Sequence, residues 1–137
     1  MGLEALSRGA EKATFVDSSR EAIQSIHANL KTLKMEEQAQ VFSGDVFRIL
    51  EFLMKRGSQF DIIYADPPYG TFSGKDPVVY SEKVIRKIDE GSVLKEGGML
   101  FIEESAQAQV ELSDLKFLKL LNSRRMGRSI LQHYQKI

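Results

Sequence analysis

The chain has 137 residues, 19 Lys+Arg against 19 Asp+Glu for a formal charge of zero, and no Cys. At about 100–200 residues per domain this is one domain, long enough to bury a core without a disulfide or metal staple. The lack of Cys excludes a disulfide scaffold, a thiolate zinc site and a cysteine nucleophile and fits a reducing, cytoplasmic setting, while no apolar run approaches the roughly 18 residues of a membrane-spanning helix.

The start, Met1-Gly2-Leu3-Glu4, lacks the basic and apolar regions of a signal peptide. Leu3, Leu6 and Ala10 suggest the end of a helix stopped near Gly9. Ala13-Thr14-Phe15-Val16 is a short apolar run ending at Asp17, which reads as a buried strand. Ser18-x-x-Glu21 has capping-box form, and Ile23, Ile26, Leu30 and Leu33 follow at helical spacing, which predicts a helix over 19–34. His27 falls beside the apolar face of that helix and reads as structural. A second strand, Ala39 to Ser43, closes on Gly44-Asp45. Val46, Ile49, Leu50, Leu53 and Met54 form one face of the next helix, which Gly57 can end. Phe60 to Ala65 is a third strand, followed by a loop rich in Pro and Gly to about residue 76. Val84, Ile85 and Ile88 mark a helix ending near Gly91. Lys95-Glu96-Gly97-Gly98 reads as a turn before the strong strand Met99-Leu100-Phe101-Ile102. Segments near 115–121 and 129–135 read as a terminal antiparallel pair. This last stretch carries the charge asymmetry: residues 115–137 hold six basic side chains and no acid, a balance of +6, against −6 for the rest. A solvated edge and a phosphate-facing patch are both consistent with it.

Strands alternating with helices imply an α/β fold, a mostly parallel sheet with right-handed crossovers and an antiparallel terminal pair. Ligands of such sheets bind outside the carboxyl ends of the strands. That rule points to Asp17, Asp45, Asp66-Pro67-Pro68-Tyr69 and Glu103-Glu104. The four residues Asp66 to Tyr69 are the most informative. Two prolines fix two φ angles near −65° and remove two donors, and the first biases Asp66 toward extended geometry. The loop is therefore stiff, and offers a carboxylate, free carbonyls and an aromatic ring. Such a loop can stack a flat heterocycle on Tyr69 and accept hydrogen bonds from its exocyclic amine at Asp66 and the Pro67 carbonyl. A rigid turn with a surface Tyr is the plain alternative.

Asp-Pro-Pro-Tyr after an apolar strand resembles the amine-methylating motif of S-adenosylmethionine-dependent methyltransferases. The segment Gly2 to Ala10, then Phe15-Val16-Asp17-x-x-Arg20, Asn29-Leu30, Gly44-Asp45, Phe60-Asp61, Leu94-x-x-Gly97-Gly98, Arg125-x-Gly127 and Tyr134 together resemble the bacterial family that methylates a guanine amine in small-subunit ribosomal RNA. The resemblance covers essentially the whole chain and implies a Rossmann-like class I methyltransferase sheet. It implies S-adenosylmethionine as cofactor, with Gly2, Asp17, Asp45, Val46 and Asp66 beside it: Asp17 for the ribose hydroxyls, Asp45 for the adenine amine, Val46 against the ring. Asp17 and Asp45 equally suit helix N-caps. Asp66, Pro67, Pro68 and Tyr69 would hold the target guanine for methylation. Hydrogen bonds from the amine would localise its lone pair, and the protein otherwise aligns amine with methyl. No metal is implied. The base must be unstacked or single-stranded, and Arg124, Arg125, Arg128 and Lys75 are candidates to hold RNA phosphates. The expected partner is ribosomal RNA or the small ribosomal subunit, and the expected state a monomer in the cytoplasm.

Members of that family carry a first strand and a Gly-x-Gly loop just before the Gly-Leu-Glu-Ala segment. Here Met1 stands where the loop belongs and Gly2 matches its last glycine. The reading is therefore one methyltransferase domain over residues 1–137, shortened at its N-terminus, with two inner strand edges left unpaired. The short form is expected to bind S-adenosylmethionine weakly or not at all, and the complete protein to be the enzyme. The rival readings are an adenine-N6 DNA or RNA methyltransferase and a non-catalytic RNA-binding remnant of the fold.

Overall fold

The computed structural model describes residues 2–66, 80–106 and 112–137. The described chain forms two compact units, residues 1–52 and 53–137.

In the first unit, helix α1 (Gly2–Ser7) leads into strand β1 (Ala13–Asp17), then helix α2 (Arg20–Leu33), a single 3-10 turn (Glu36–Gln38), strand β2 (Ala39–Ser43) and the start of helix α3 (Val46–Lys55). β1 and β2 pair in parallel, with Ala13 opposite Ala39 and Asp17 opposite Ser43. α1 ends two residues before Gly9, whose φ of 108° favours a glycine. α2 begins one residue later than the capping-box reading placed it. Its cap is Ser19, not Ser18, and the Ser19 hydroxyl accepts from the Ala22 N–H at 3.3 Å. The displacement has a cause: the Asp17 carboxylate accepts from the Ser19 N–H at 2.7 Å, and that local turn carries the chain one residue further before the helix starts. His27 is exposed, not set against the core as expected, while Leu30 three residues on is buried. Within this unit Phe42 of β2 meets Phe52 of α3, ring centres 6.0 Å apart.

The second unit holds the end of α3, strand β3 (Phe60–Ala65), helix α4 (Tyr80–Glu90) and strands β4 (Leu94–Ser105), β5 (Leu118–Met126) and β6 (Ser129–Lys136). The sheet order is β3-β4-β6-β5, with β3 and β4 parallel and the other pairs antiparallel. Among the described residues β1 bonds only to β2, and β3 only to β4, so each is an edge strand of its own sheet. The core of this unit is apolar by strand alternation. Leu100 and Ile102 of β4 and Tyr134 of β6 are buried, as are Val84, Ile85 and Ile88 of α4, the helix joining β3 and β4.

Two boundaries differ from the sequence reading. The turn expected at residues 95–98 is an irregularity inside β4, whose register against β3 shifts between the Phe60–Leu94 and Ile62–Met99 pairs. Gly97 there has φ 77°. A side chain on Gly98 would lie 2.7 Å from the Lys95 carbonyl oxygen and 3.0 Å from that of Asp61, so the bulge packs too closely for any other residue. β5 runs on to Met126 instead of ending near 121, because its partner is the backbone of β6 and the hairpin turns only at Gly127, φ 65°.

Candidate active site

Two groups of the expected site residues lie at carboxyl ends of strands, one group in each unit. In the first unit, Asp17 ends β1 and Asp45 follows β2. The Asp17 carbonyl accepts from the Gly44 N–H at 2.9 Å, which ties the two strand ends together. Asp17 is not the cap of α2; one of its carboxylate oxygens braces the Ser19 N–H, as above. Asp45 takes the N-cap position of α3 through its backbone, its carbonyl accepting from the Ile49 N–H at 3.0 Å. Its side chain is exposed, and Val46 beside it is 36% exposed. The donor set of this end is therefore two carboxylates with acceptor capacity, next to an open aliphatic surface. That fits a nucleoside, whose ribose hydroxyls and exocyclic amine are donors and whose ring is apolar. Gly2, at the start of α1, packs against β1: a side chain there would meet the Phe15 ring at 2.5 Å, so the close approach of α1 to β1 favours the glycine.

In the second unit the last residues of β3 and β4 make an acidic end. The ladder pairs Ala65 with Ile102, so Asp66 leaves the sheet beside Glu103 and Glu104. The Tyr64 hydroxyl donates to Glu103 Oε2 at 2.7 Å. This bond, then burial and the charges of Glu103 and Asp66, push the Tyr64 phenol up to about 12. Burial, with the negative charges of Glu103 and Glu104 behind it, raises the Asp66 carboxyl above its ordinary value. Asp66, although exposed, is thereby a stronger proton acceptor than an aspartate without acidic neighbours. Glu103-Glu104 stood among the strand ends worth inspecting, but with no role; Tyr64 carried no signal at all, since a tyrosine in an apolar strand reads as core. Pro67, Pro68, Tyr69 and Lys75 lie outside the described residues.

The three arginines sit at the β5–β6 hairpin. Arg124 and Arg125 pair with Leu131 and Ile130, and Arg128 follows the Gly127 turn. All three are exposed. Strand alternation places Arg124 and Arg125 on opposite faces, so they flank the hairpin instead of forming one flat patch. The Arg125 Nε donates to the Gly127 carbonyl at 3.1 Å, which holds its guanidinium over the turn. The hairpin also has a defined place in the sheet. Glu104 pairs with Ile130, which pairs with Arg125, and the Ala106 N–H donates to the Arg128 carbonyl at 2.9 Å. The arginine turn and the acidic end therefore share one end of the sheet. Asp66 and Arg125 are three strand spacings apart, about 14 Å. Among the described residues no group of His, Cys, Asp or Glu is arranged to hold a metal ion.

Comparison with known proteins completes the picture. A family model described as conserved hypothetical protein 95 matches residues 1–135. The Bacillus subtilis protein YlbH, provisionally named an rRNA methyltransferase, is 37% identical over 110 residues, 80% of this chain and 56% of its own length. Ribosomal RNA small subunit methyltransferase D of Haemophilus influenzae is 33% identical over 106 residues, 75% of this chain and 50% of its own. The chain thus spans about half the length of the curated relatives it matches. Among solved structures, a Haemophilus influenzae protein provisionally described as a methylase superposes with a TM-score of 0.77 at 27% identity, covering 99% of this chain and 79% of that one. A Streptococcus mutans protein solved with S-adenosylhomocysteine superposes at 0.76 and 18% identity, covering 98% of this chain and 41% of that one, and shares the α/β methyltransferase fold.

Proposed function

We propose a methyl-transfer function from a firm premise: the chain belongs to the family described as conserved hypothetical protein 95. On this reading it forms, as one domain or the larger part of one, an S-adenosylmethionine-dependent enzyme that methylates the exocyclic amine of a guanine in small-subunit ribosomal RNA. The observation that carries it is the shared sheet end: an acceptor-only acidic cluster for a base stands about three strand spacings (~14 Å) from an exposed arginine hairpin suited to phosphates. The names of the relatives, one a ribosomal RNA methyltransferase and the other provisionally so, support the substrate class.

The residues divide the work. Asp17 and Asp45 would hold the cofactor's ribose hydroxyls and adenine amine, with Val46 against the ring. When bound, the cofactor supplies a methyl group on a positively charged sulfur, an already activated donor. Asp66 accepts a hydrogen bond from the target amine. That bond draws the nitrogen lone pair out of the ring system, where it is otherwise delocalised, and turns it toward the methyl carbon. As the nitrogen–carbon bond forms the amine must lose a proton, and Asp66, raised by burial and its acidic neighbours, is suited to receive it. Pro67, Pro68 and Tyr69 complete the base cradle by the motif's chemistry. Arg124, Arg125, Arg128 and Lys75 hold the flanking phosphates.

The test is transfer of labelled methyl from S-adenosylmethionine to isolated small ribosomal subunits, to free ribosomal RNA and to DNA. Label should enter guanine N2 of the RNA in one of the first two. Label in adenine or in DNA would replace this reading with the adenine enzyme. RNA affinity with no label anywhere, using the complete protein, would leave a binding module. Reversing the charge of Arg124 and Arg125 together should weaken RNA binding and flatten its salt dependence by about two units of slope.

A further inference from the structure

Tyr64, Asp66 and Glu103 share one face of the β3–β4 ladder. In a parallel pair, residues opposite each other point to the same side, and the side alternates along each strand. The ladder pairs Tyr64 with Phe101 and Ala65 with Ile102. Tyr64, Phe101 and Glu103 therefore lie on one side, and Asp66, the residue after Ala65, emerges on that side opposite Glu103. Glu104 faces the other way, in the buried row of Leu100 and Ile102, and is 4% exposed. Tyr64 and Glu103 are only partly buried and Asp66 is exposed, so a ligand can reach this side. The two carboxylates stand on neighbouring strands, about 5 Å apart at the backbone, over one accessible surface.

The Tyr64 hydroxyl fixes the polarity of this pair. It donates to Glu103 Oε2 at 2.7 Å, across the diagonal of the ladder. Its phenol is pushed up to about 12, so it keeps its proton at neutral pH and acts on Glu103 as a donor. One Glu103 oxygen is thereby engaged, and the other, Oε1, keeps its acceptor capacity. An ionised carboxylate only accepts, so what binds there must bring N–H or O–H. In the guanine-amine reading the two hydrogens of the exocyclic amine go to Asp66 and to the Pro67 carbonyl. Guanine carries one further donor on the same edge, its ring N1–H, directly beside the amine. Adenine and cytosine have a bare ring nitrogen beside the amine, and a carboxylate facing that lone pair is repelled.

We propose that Glu103 is the residue that selects guanine, its Oε1 accepting the ring N–H beside the amine held at Asp66, with Tyr64 as the positioning residue that turns Oε1 toward the base. This rests on the guanine-amine reading of the site and adds how that site chooses its base. Sites built to hydrogen-bond a particular N–H reject an analogue that lacks it, because their own polar group is then left unpaired. The Tyr64 bond also gives Glu103→Gln a defined polarity. The hydroxyl needs an acceptor and takes the amide oxygen, so the NH2 replaces Oε1 as the group that faces the base, and an acceptor becomes a donor there.

The experiment compares two short single-stranded RNAs that are identical except at one position, guanine in one and 2-aminopurine in the other. 2-Aminopurine keeps the exocyclic amine and has a bare ring nitrogen in place of N1–H. Affinity for the full chain is read by calorimetry, and methyl transfer with labelled S-adenosylmethionine. The wild-type protein should prefer guanine by at least about a hundredfold. Glu103→Gln should reduce that preference below about tenfold, and Tyr64→Phe, which removes only the hydroxyl, should leave it between those values. 2-Aminopurine also lacks the ring oxygen of guanine, so the change between proteins assigns the effect to Glu103. A merely structural Glu103 would lower both affinities together and leave their ratio unchanged, which overturns the proposal. An unchanged ratio in Tyr64→Phe overturns the positioning role of Tyr64. Equal binding of the two RNAs by the wild type also overturns the proposal, and needs no variant to fold. Wild-type protein that neither binds nor methylates guanine RNA overturns the underlying guanine reading as well, whereas transfer to guanine without N–H preference overturns this inference alone.

Discussion

Removing the Asp89 carboxylate should unfasten the start of β5. Asp89 ends α4 almost fully buried, at 4% exposed, and its two oxygens accept three backbone N–H groups: Lys116 at 3.0 Å, Phe117 at 2.8 Å and Leu118 at 2.9 Å. These residues enter the strand that carries Arg124 and Arg125, so the carboxylate clamps one end of the arginine hairpin. Hydrogen bonds to a charged group contribute about 1.5–3 kcal/mol each, but three that share two oxygens do not add. Lys116 and Phe117 are exposed, so water can replace their bonds; Leu118 is buried and its N–H would be stranded. Asp89→Ala should therefore cost about 3–4 kcal/mol, and Asp89→Asn, which keeps one acceptor but turns an NH2 toward a donor, about 2–3 kcal/mol. The pH dependence gives a second handle. Burial pushes the Asp89 carboxyl up, but the three backbone donors outweigh it and hold it below the ordinary aspartate value. A depressed folded-state value means that this contribution is complete above the unfolded value of about 3.9 and is lost as pH falls through the folded one. The stability gap between wild type and Asp89→Asn should therefore narrow in acid. Urea denaturation at pH 7 and pH 3, with amide exchange at Leu118 as a local probe, measures both. An Asn variant within about 0.5 kcal/mol of wild type at pH 7, or a gap that widens in acid, would refute the clamp.

The two phenols that the fold protects give a spectroscopic check: Tyr64, hydrogen-bonded to Glu103, and Tyr134, buried, are both pushed up to about 12, so at pH 11 at least two of the four tyrosines should remain protonated by ultraviolet absorbance in folded protein. Tyr64→Phe should remove one of them from that titration. Gly98→Ala sets a methyl group against two carbonyl oxygens of the β3–β4 bulge that cannot yield like a side chain; a cost of about 1–3 kcal/mol in thermal or urea unfolding is expected, and a neutral result would mean that the bulge is looser than its contacts require.

The elements legible in the sequence are those where one local signal decides. β1, β2 and β3 stand where short apolar runs end at Asp17, Ser43 and Ala65, and α3 begins at Val46 as its apolar spacing required. Legibility fails where a side chain or a distant backbone arbitrates between equal local options. Ser18 and Ser19 are equivalent as caps by composition; the Asp17 carboxylate, folding onto the Ser19 N–H, makes the choice. The stretch 95–98 has the composition of a turn, and so it behaves locally, but it is stitched into β4 by its approach to Asp61. Asn122-Ser123-Arg124-Arg125 has no apolar alternation, because an edge strand exposed on both faces needs none; β6 supplies its order.

The site follows the same division. Asp66 is legible because a strand end and two prolines announce it in consecutive residues. Glu104 is not, since in sequence it is the polar end of an apolar strand, and only the fold shows that its carboxylate points into the core. The charge asymmetry is half legible. In sequence the acidic body and the basic tail are separate tracts; the β4–β6–β5 ladder brings Glu104, Ile130 and Arg125 into one row. That juxtaposition sets an orientation for any nucleic acid bound there. Phosphates are repelled by Asp66, Glu103 and Glu104 and attracted to the hairpin, whereas a donor-rich base edge is attracted to the carboxylates. A strand laid across this end therefore turns its backbone toward the arginines and its base toward Asp66. The two halves of that attraction respond differently to salt: contacts at the exposed arginines are screened over about 8–10 Å at ordinary ionic strength, and the hydrogen bonds of a buried base edge much less. Raising salt should thus weaken RNA affinity while leaving the choice between guanine and adenine intact.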